Sequence, residues 1–262
     1  MKKFLATVMT AVALAAATMS TAGNVVTESY PIKSDYTTIS VSNMIEVELI
    51  DAPKNTIRIE TDERLMPYLQ IVVKDGILVL TFDNQREVER LRKRNRDMED
   101  THVYVSMRGV DTFVASGMAE FEADMILRGN VLTISASGMA KFNIERVECK
   151  KFKVLISGMG EVDTEVNATE CIFDISGMSD VDIEGRTDHL SLDLSGMSEV
   201  SFEELMARTA KVSISGMSSA TIAASESVTG SVSGMSKLKS FGDAQNITVS
   251  TSGGSSHKHI RK

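Results

Sequence analysis

The side chains of this sequence that could do chemistry come in rows. Carboxylates stand two apart at Glu120/Glu122, Glu161/Asp163 and Asp180/Asp182, with Glu199 in the next row. A methionine recurs at Met118, Met139, Met159, Met178, Met197, Met217 and Met235. Residues two apart on an extended chain point to the same side, so the acids suit either a hard cation held by oxygen or the acid/base work of a glycosidase. A row of thioethers suits an apolar partner or a thiophilic metal ion. The four histidines, His102, His189, His257 and His259, are scattered, and no Ser/His/Asp or Cys/His set emerges from the spacing. No cofactor motif is present.

Both rows arise from one repeat. Ser-Gly-Met occurs seven times, with glycines at Gly117, Gly138, Gly158, Gly177, Gly196, Gly216 and Gly234, and Ser252-Gly253-Gly254 is a degenerate further copy. Successive glycines are 18 to 21 residues apart, the signature of a solenoid or array. Six, four and two residues before the glycine the chain is apolar, as in Phe152/Val154/Ile156 and Leu190/Leu192/Leu194, and the positions between are mostly polar. That alternation predicts a half-buried strand ending at Ser-Gly. Two residues after the glycine the residue is always small, and four after it an apolar residue opens a second inward-facing strand (Phe121, Phe142, Val162, Val181, Val200).

One coil offers roughly five apolar side chains, each stabilising by ~1.5–3 kcal/mol when buried, against an ordering cost of ~1.5 kcal/mol per residue. A lone coil is therefore unstable, and coils must stack and share strand hydrogen bonds. The expected fold is all-β: a right-handed parallel β-solenoid (single-stranded β-helix) of about eight ~19-residue coils, on the order of 35 Å long. The chain has three prolines, Pro31, Pro53 and Pro67, and none beyond. That is the distribution expected where strands are paired on both edges.

In this architecture Met at the corner is expected to plug it, because Met fills irregular gaps. Strict alternation would instead turn the methionines outward as a soft exposed strip. The acids are expected to form a solvated stripe, interrupted by Lys141 and ended by Ser219 and Lys237. The functional alternative is cation binding around Glu161, Asp163, Asp180, Asp182 and Glu199. Cys149 lies nine residues before its glycine and Cys171 six before its own, an offset of ~10 Å along stacked strands that exceeds disulfide reach, so both are expected free.

Residues 1–22 have the layout of a secretory signal: Lys2 and Lys3, an apolar run, then Ser20-Thr21-Ala22 with cleavage expected near Ala22. The run is too short to span a bilayer, and no later segment approaches that length. Without the leader, 26 basic residues face 36 acidic ones, since two of the 28 lysines and arginines lie in it. The resulting charge of −10 and the exported address disfavour nucleic acid as a partner. Residues 23–110 form a strand-rich segment that packs on or continues the solenoid, residues 111–255 the repeat solenoid, and residues 256–262 a basic tail expected to fray. Within the first segment, Asp62–Gln70 reads as a short helix capped by Asp62. Gln85–Asp100, with its nearly balanced charges, reads as a solvated loop or exposed helix.

Corners such as Ser157-Gly158-Met159-Gly160-Glu161-Val162 and Ser176-Gly177-Met178-Ser179-Asp180-Val181 resemble those of the head GIN domain of putative autotransporter adhesins, a family of exported domains from Bacteroides-type bacteria. The resemblance covers roughly residues 30–255 and implies a fold similar to a single-stranded β-helix. It brings no catalytic residues to carry over, and no C-terminal segment is expected to serve as a translocating barrel. The function it implies is a non-enzymatic binding, adhesion or structural module in the periplasm or at the cell surface. Its partner would be a cell-surface glycan or an envelope protein. The rivals are a carbohydrate-active enzyme on a β-helix scaffold and a structural protein that self-associates through exposed solenoid ends.

Overall fold

Apolar side chains alternate with polar ones on both sides of every Ser-Gly-Met corner, and two ladders of parallel strands meet there with their apolar faces inward. The computed structural model describes residues 18–19 and 25–261. The leader expected over residues 1–22 lies outside the described residues, apart from a two-residue strand, β1 (Thr18–Met19).

The N-terminal strands are β2 (Val25–Pro31), β3 (Thr38–Ser42), β4 (Ile45–Ile50), β5 (Thr56–Asp62), β6 (Leu69–Lys74) and β7 (Ile77–Phe82). One helix, α1 (Gln85–Arg94), follows, then β8 (Thr101–Ser106), β9 (Thr112–Gly117), β10 (Glu120–Arg128) and β11 (Val131–Gly138). The middle coils are single long strands running from one corner to the next: β12 (Lys141–Gly158), β13 (Glu161–Gly177), β14 (Asp180–Gly196), β15 (Glu199–Ile214) and β16 (Ser219–Val232). The chain closes with β17 (Lys237–Phe241), β18 (Asn246–Thr251) and β19 (Ser256–Ile260).

Pairing makes this a parallel β-solenoid. The strands leading into the corners stack as β7, β3, β9, β11, the C-terminal halves of β12 to β16, and β18. Those leaving them stack as β8, β4, β10, the N-terminal halves of β12 to β16, β17 and β19. Bulges, such as the shift between Ile144 and Arg146, bend the long strands around the core. Every inward position expected from the alternation around Gly158 and Gly196 is buried. Phe121 stacks on Phe142 with ring centroids 5.0 Å apart, and Phe173 lies 4.5 Å from Phe202.

The solenoid begins earlier than the Ser-Gly-Met triplets. Ser42 pairs with Ser116, so Ser42-Asn43-Met44 is a further corner in which Asn43, at φ 69°, takes the glycine's left-handed conformation. The outermost coil is β7–β8, which comes later in sequence than the β3–β4 coil it covers. In place of a tight corner this coil makes an excursion from Asn84 through α1 to Asp100. Beyond it, β5 and β2 continue one ladder antiparallel and β6 the other, closing the edge. At the opposite end β18 and β19 have no outer neighbour among the described residues.

Two expectations are corrected. Asp62–Gln70 is not a helix: β5 runs through Asp62, and only Met66–Tyr68 forms a 3₁₀ turn. Arg64 ties the Asp62 carboxylate with Nε at 2.8 Å and Nη2 at 2.6 Å, and pairing with β7 draws Leu69 onward into a strand. Nor does the basic tail fray at its start, because Ser256–Ile260 pairs in register with Lys237–Phe241 as the last strand.

The corner glycines permit the stacking. Gly177 sits at φ 109°, and a Cβ there would lie 2.1 Å from the Gly158 carbonyl oxygen. Gly76, at φ 77° in the β6–β7 turn, would place a Cβ in open space. Gly177→Ala should therefore lower unfolding stability by about 3 kcal/mol or more, against about 1 kcal/mol for Gly76→Ala, where only backbone strain contributes. Urea denaturation of the two variants checks this, and equal losses would contradict it.

Candidate binding face

At each corner from Met139 onward the methionine N–H donates to the glycine carbonyl of the preceding coil: Met139 to Gly117 at 2.7 Å, Met178 to Gly158 at 2.8 Å, Met217 to Gly196 at 2.8 Å. The small residue that follows turns inward. Where it is serine its hydroxyl joins adjacent coils: Ser179 Oγ accepts from the Gly160 N–H at 3.4 Å and donates to the Gly158 carbonyl at 3.3 Å. Ser198 and Ser218 repeat the arrangement.

With the small residue inside and the glycines in backbone contact, the corner holds no gap for a plug. The methionines accordingly point outward, as strict alternation requires, and the plug expectation is corrected. All seven are exposed, from 46% at Met159 to 64% at Met235. They form an axial strip, one side chain per coil at ~4.8 Å spacing, extended by Met44. Such a run of exposed large apolar side chains is unusual on a surface that meets only water.

The excursion of the first coil adds a wall to one end of this strip. Residues Gln85, Val88, Glu89 and Arg92 of α1, at helical spacing, face Met44 and Met118. The groove between them encloses about 350 Å³ and is lined by Met44, Phe82, Val88, Met118, Met139 and Met159 among others. Sequence reading missed this groove because nothing in Gln85–Asp100 shows where the helix lies. The one available signal was Ser42-Asn43-Met44, which fixes the corner it rests on. Within this excursion Arg90 pairs with Glu87 and Arg92 with Asp100, while Asp97 reaches Arg64 outside it at 3.9 Å.

The acids flank the strip. Glu120, Lys141, Glu161, Asp180 and Glu199 stand in register two residues beyond the methionines, and Glu122, Asp163 and Asp182 two further on. Lys141 bridges Glu120 at 3.6 Å and Glu161 at 3.8 Å. Partial burial, with Asp163, Asp180 and Glu204 nearby, holds the Asp182 carboxyl above its usual range, and Glu204 does the same to Glu184. Among the described residues no three His, Cys, Asp or Glu side chains converge to hold a metal ion. The rows lie on a flat sheet face, where neighbouring carboxylates share a surface without enclosing a point.

The histidines stay apart from the acids of this stripe, except for His102 Nδ1, 3.0 Å from Glu46. His257 and His259 both reach the Ser240 hydroxyl, at 2.8 and 3.0 Å, on the last two coils. Ser240 is fully buried, so this contact ties the end of the solenoid together and offers no accessible nucleophile. Cys149 and Cys171 are free thiols, three positions apart in register as expected. Burial pushes them up to about 11 and about 12, which makes them poor nucleophiles.

Comparison with known proteins places this solenoid in a family. The chain belongs to the family described as putative auto-transporter adhesin, head GIN domain, whose model matches residues 35–244. Among solved structures it is similar to a putative lipid binding protein from Parabacteroides distasonis, with a TM-score of 0.80 and 18% identity over 91% of this chain and 98% of that one. It is also similar to putative adhesins from Parabacteroides merdae (TM-score 0.76, 19% identity, 91% and 97% covered) and Bacteroides fragilis (0.64, 19%, 90% and 97%). At these identities the likeness establishes a shared fold. No curated protein matches the sequence. Among the described residues no helix is long and apolar enough to cross a membrane.

Two outcomes follow from the geometry. Mild peroxide on the folded protein should oxidise the seven corner methionines ahead of Met107 and Met125, which pack partly against the core. Peptide mass mapping reads the order, and seven slow corner methionines would contradict the outward strip. Burial, with His259 beside it, holds His257 below its ordinary value of 6.5. The folded state thus favours the neutral ring, and the stability that His257 contributes to the last coil is present above about pH 6.5 and lost as pH falls below it. Amide exchange along β19, corrected for intrinsic rates, should speed up over that range, and His257→Gln should flatten the dependence.

Proposed function

We propose that the protein is an exported, non-enzymatic binding module and that the methionine-lined corner, with its groove beside α1, is the face that meets the ligand. One observation carries this reading: seven large apolar side chains are held outward in register, each about half exposed. Leaving that surface in water is unfavourable. Covering what remains exposed would contribute about 1 kcal/mol per methionine, so four or five engaged together supply about 4–5 kcal/mol, to which the walls of the groove and polar contacts beside the strip must add for tight binding. Rigid coils present the strip without any ordering of the backbone, while the unbranched thioether side chains adapt to what they touch.

The Lys2–Ala22 segment supports export to the periplasm or cell surface. The adhesin family supports binding over catalysis, and the lipid-binding description of the Parabacteroides distasonis protein fits a groove with apolar walls. Met118→Ser, Met139→Ser and Met159→Ser together should abolish most of the fluorescence gain of the neutral apolar dye Nile red. The thermal unfolding midpoint should stay close to that of the parent, since these side chains support little of the core. Undiminished dye binding by the triple variant would overturn the reading.

A further inference from the structure

The middle of the strip differs from its ends in charge. Beside Met178 and Met197 stand Asp174 and Asp193 on the strand entering the corner, and Asp180 and Glu199 on the strand leaving it, all exposed. Register sets Asp174 beside Asp193 and Asp180 beside Glu199. Lys141 bridges Glu120 and Glu161 in the earlier coils, but none of these four has an ion-pair partner among the described residues. The soft apolar strip is thus bordered on both sides by uncompensated carboxylates over two successive coils. Towards the C-terminal end the same columns turn neutral at Ser213 and Ser219 and basic at Lys237.

Resting on the binding-face reading above, we infer that the partner of this stretch is a basic amphipathic polypeptide segment, its apolar side laid on Met178 and Met197 and its lysines or arginines on the four flanking carboxylates. Like charges in adjacent coils repel one another, and a cationic partner relieves that repulsion on binding. An anionic lipid or a free fatty acid meets the same field with the wrong sign. The axial spacing suits a helix: apolar residues recur about every 5.4 Å along a helix against about 4.8 Å per coil. The flexible methionines absorb so small a mismatch over a few turns, and a Met-rich surface accepts varied helices in this way.

The test uses the whole chain with a fluorescent Leu/Lys amphipathic peptide of about 18 residues, its Leu/Glu counterpart, and phosphatidylglycerol vesicles, at about 20 and about 300 mM salt. The Leu/Lys peptide should bind and the other two should not. High salt should weaken binding. Asp174→Asn, Asp180→Asn, Asp193→Asn and Glu199→Gln together should weaken it at least about tenfold. Met178→Ser with Met197→Ser should also weaken it, whereas leucine at both positions should preserve it. Equal binding of both peptides through the methionines, indifferent to salt and to the carboxylates, would overturn the partner's charge and leave the binding face standing. Preference for the vesicles would overturn it in favour of a lipid surface. Failure of both the peptides and Nile red to depend on any corner methionine would remove the binding face, and this inference with it.

Discussion

The close approach of backbones at the glycine corner is the constraint on which the rest depends. From Met139 to Met235, a hydrogen bond of 2.7 to 2.9 Å from each corner methionine N–H to the glycine carbonyl one coil back fixes both axial spacing and rotational register at the same point of the turn. Once the corners superpose, the two flanking strands have no freedom of register, and a slip by one residue would turn every apolar side chain outward. The inward small residue and the outward methionine are consequences of the same stacking: the first must fit beside a neighbour's backbone, and the second has nowhere else to go. Core, strip and acidic rows are then successive positions of one alternation counted from the glycine.

That dependence explains how much was legible in the sequence. The triplet recurs nearly unchanged because a glycine stacked on the corner before it has no room for a side chain, so the repeat, the strand faces and the three-residue offset of Cys149 and Cys171 could be read from spacing alone. The methionine position was misjudged by treating the corner as a void to be filled. The glycines already fill it with backbone, as the Gly158–Gly177 contact shows. Elements set by long-range pairing were illegible for the opposite reason. Asp62–Gln70 has local helical signals that strand pairing overrides, and Ser256–Ile260 looks like a polar tail until Lys237–Phe241 is laid beside it. Of the candidate face, the strip was written in the repeat, but the groove depends on where α1 folds back, and no residue of α1 encodes that by itself.

The two ends of the solenoid are unlike. At one, antiparallel strands cover both ladders; at the other, β18 and β19 end the stack with half-buried Ile247 and Val249 and with His257 and His259 tied to Ser240. Lys258 and Arg261 add positive charge near this edge, which has no outer strand among the described residues, a common means of discouraging strand addition there. The charge along the face follows the same polarity, acidic through the middle coils and basic at the exposed end, so the rod has a direction in electrostatic as well as chain terms.

The displaced order of the first coils has a consequence for length. Because the cap is built from β2, β5, β6 and the β7–β8 coil, all upstream of the first Ser-Gly-Met corner, the region downstream can gain or lose whole units without touching it. Each unit contacts only the ones before and after. Duplication of about nineteen residues would lengthen the strip by one methionine and about 4.8 Å, leaving every other contact as it was. The protein is in this sense a ruler: its reach along a partner is set in integer steps by a count of repeats, and selection can adjust that count independently of the chemistry at each mark.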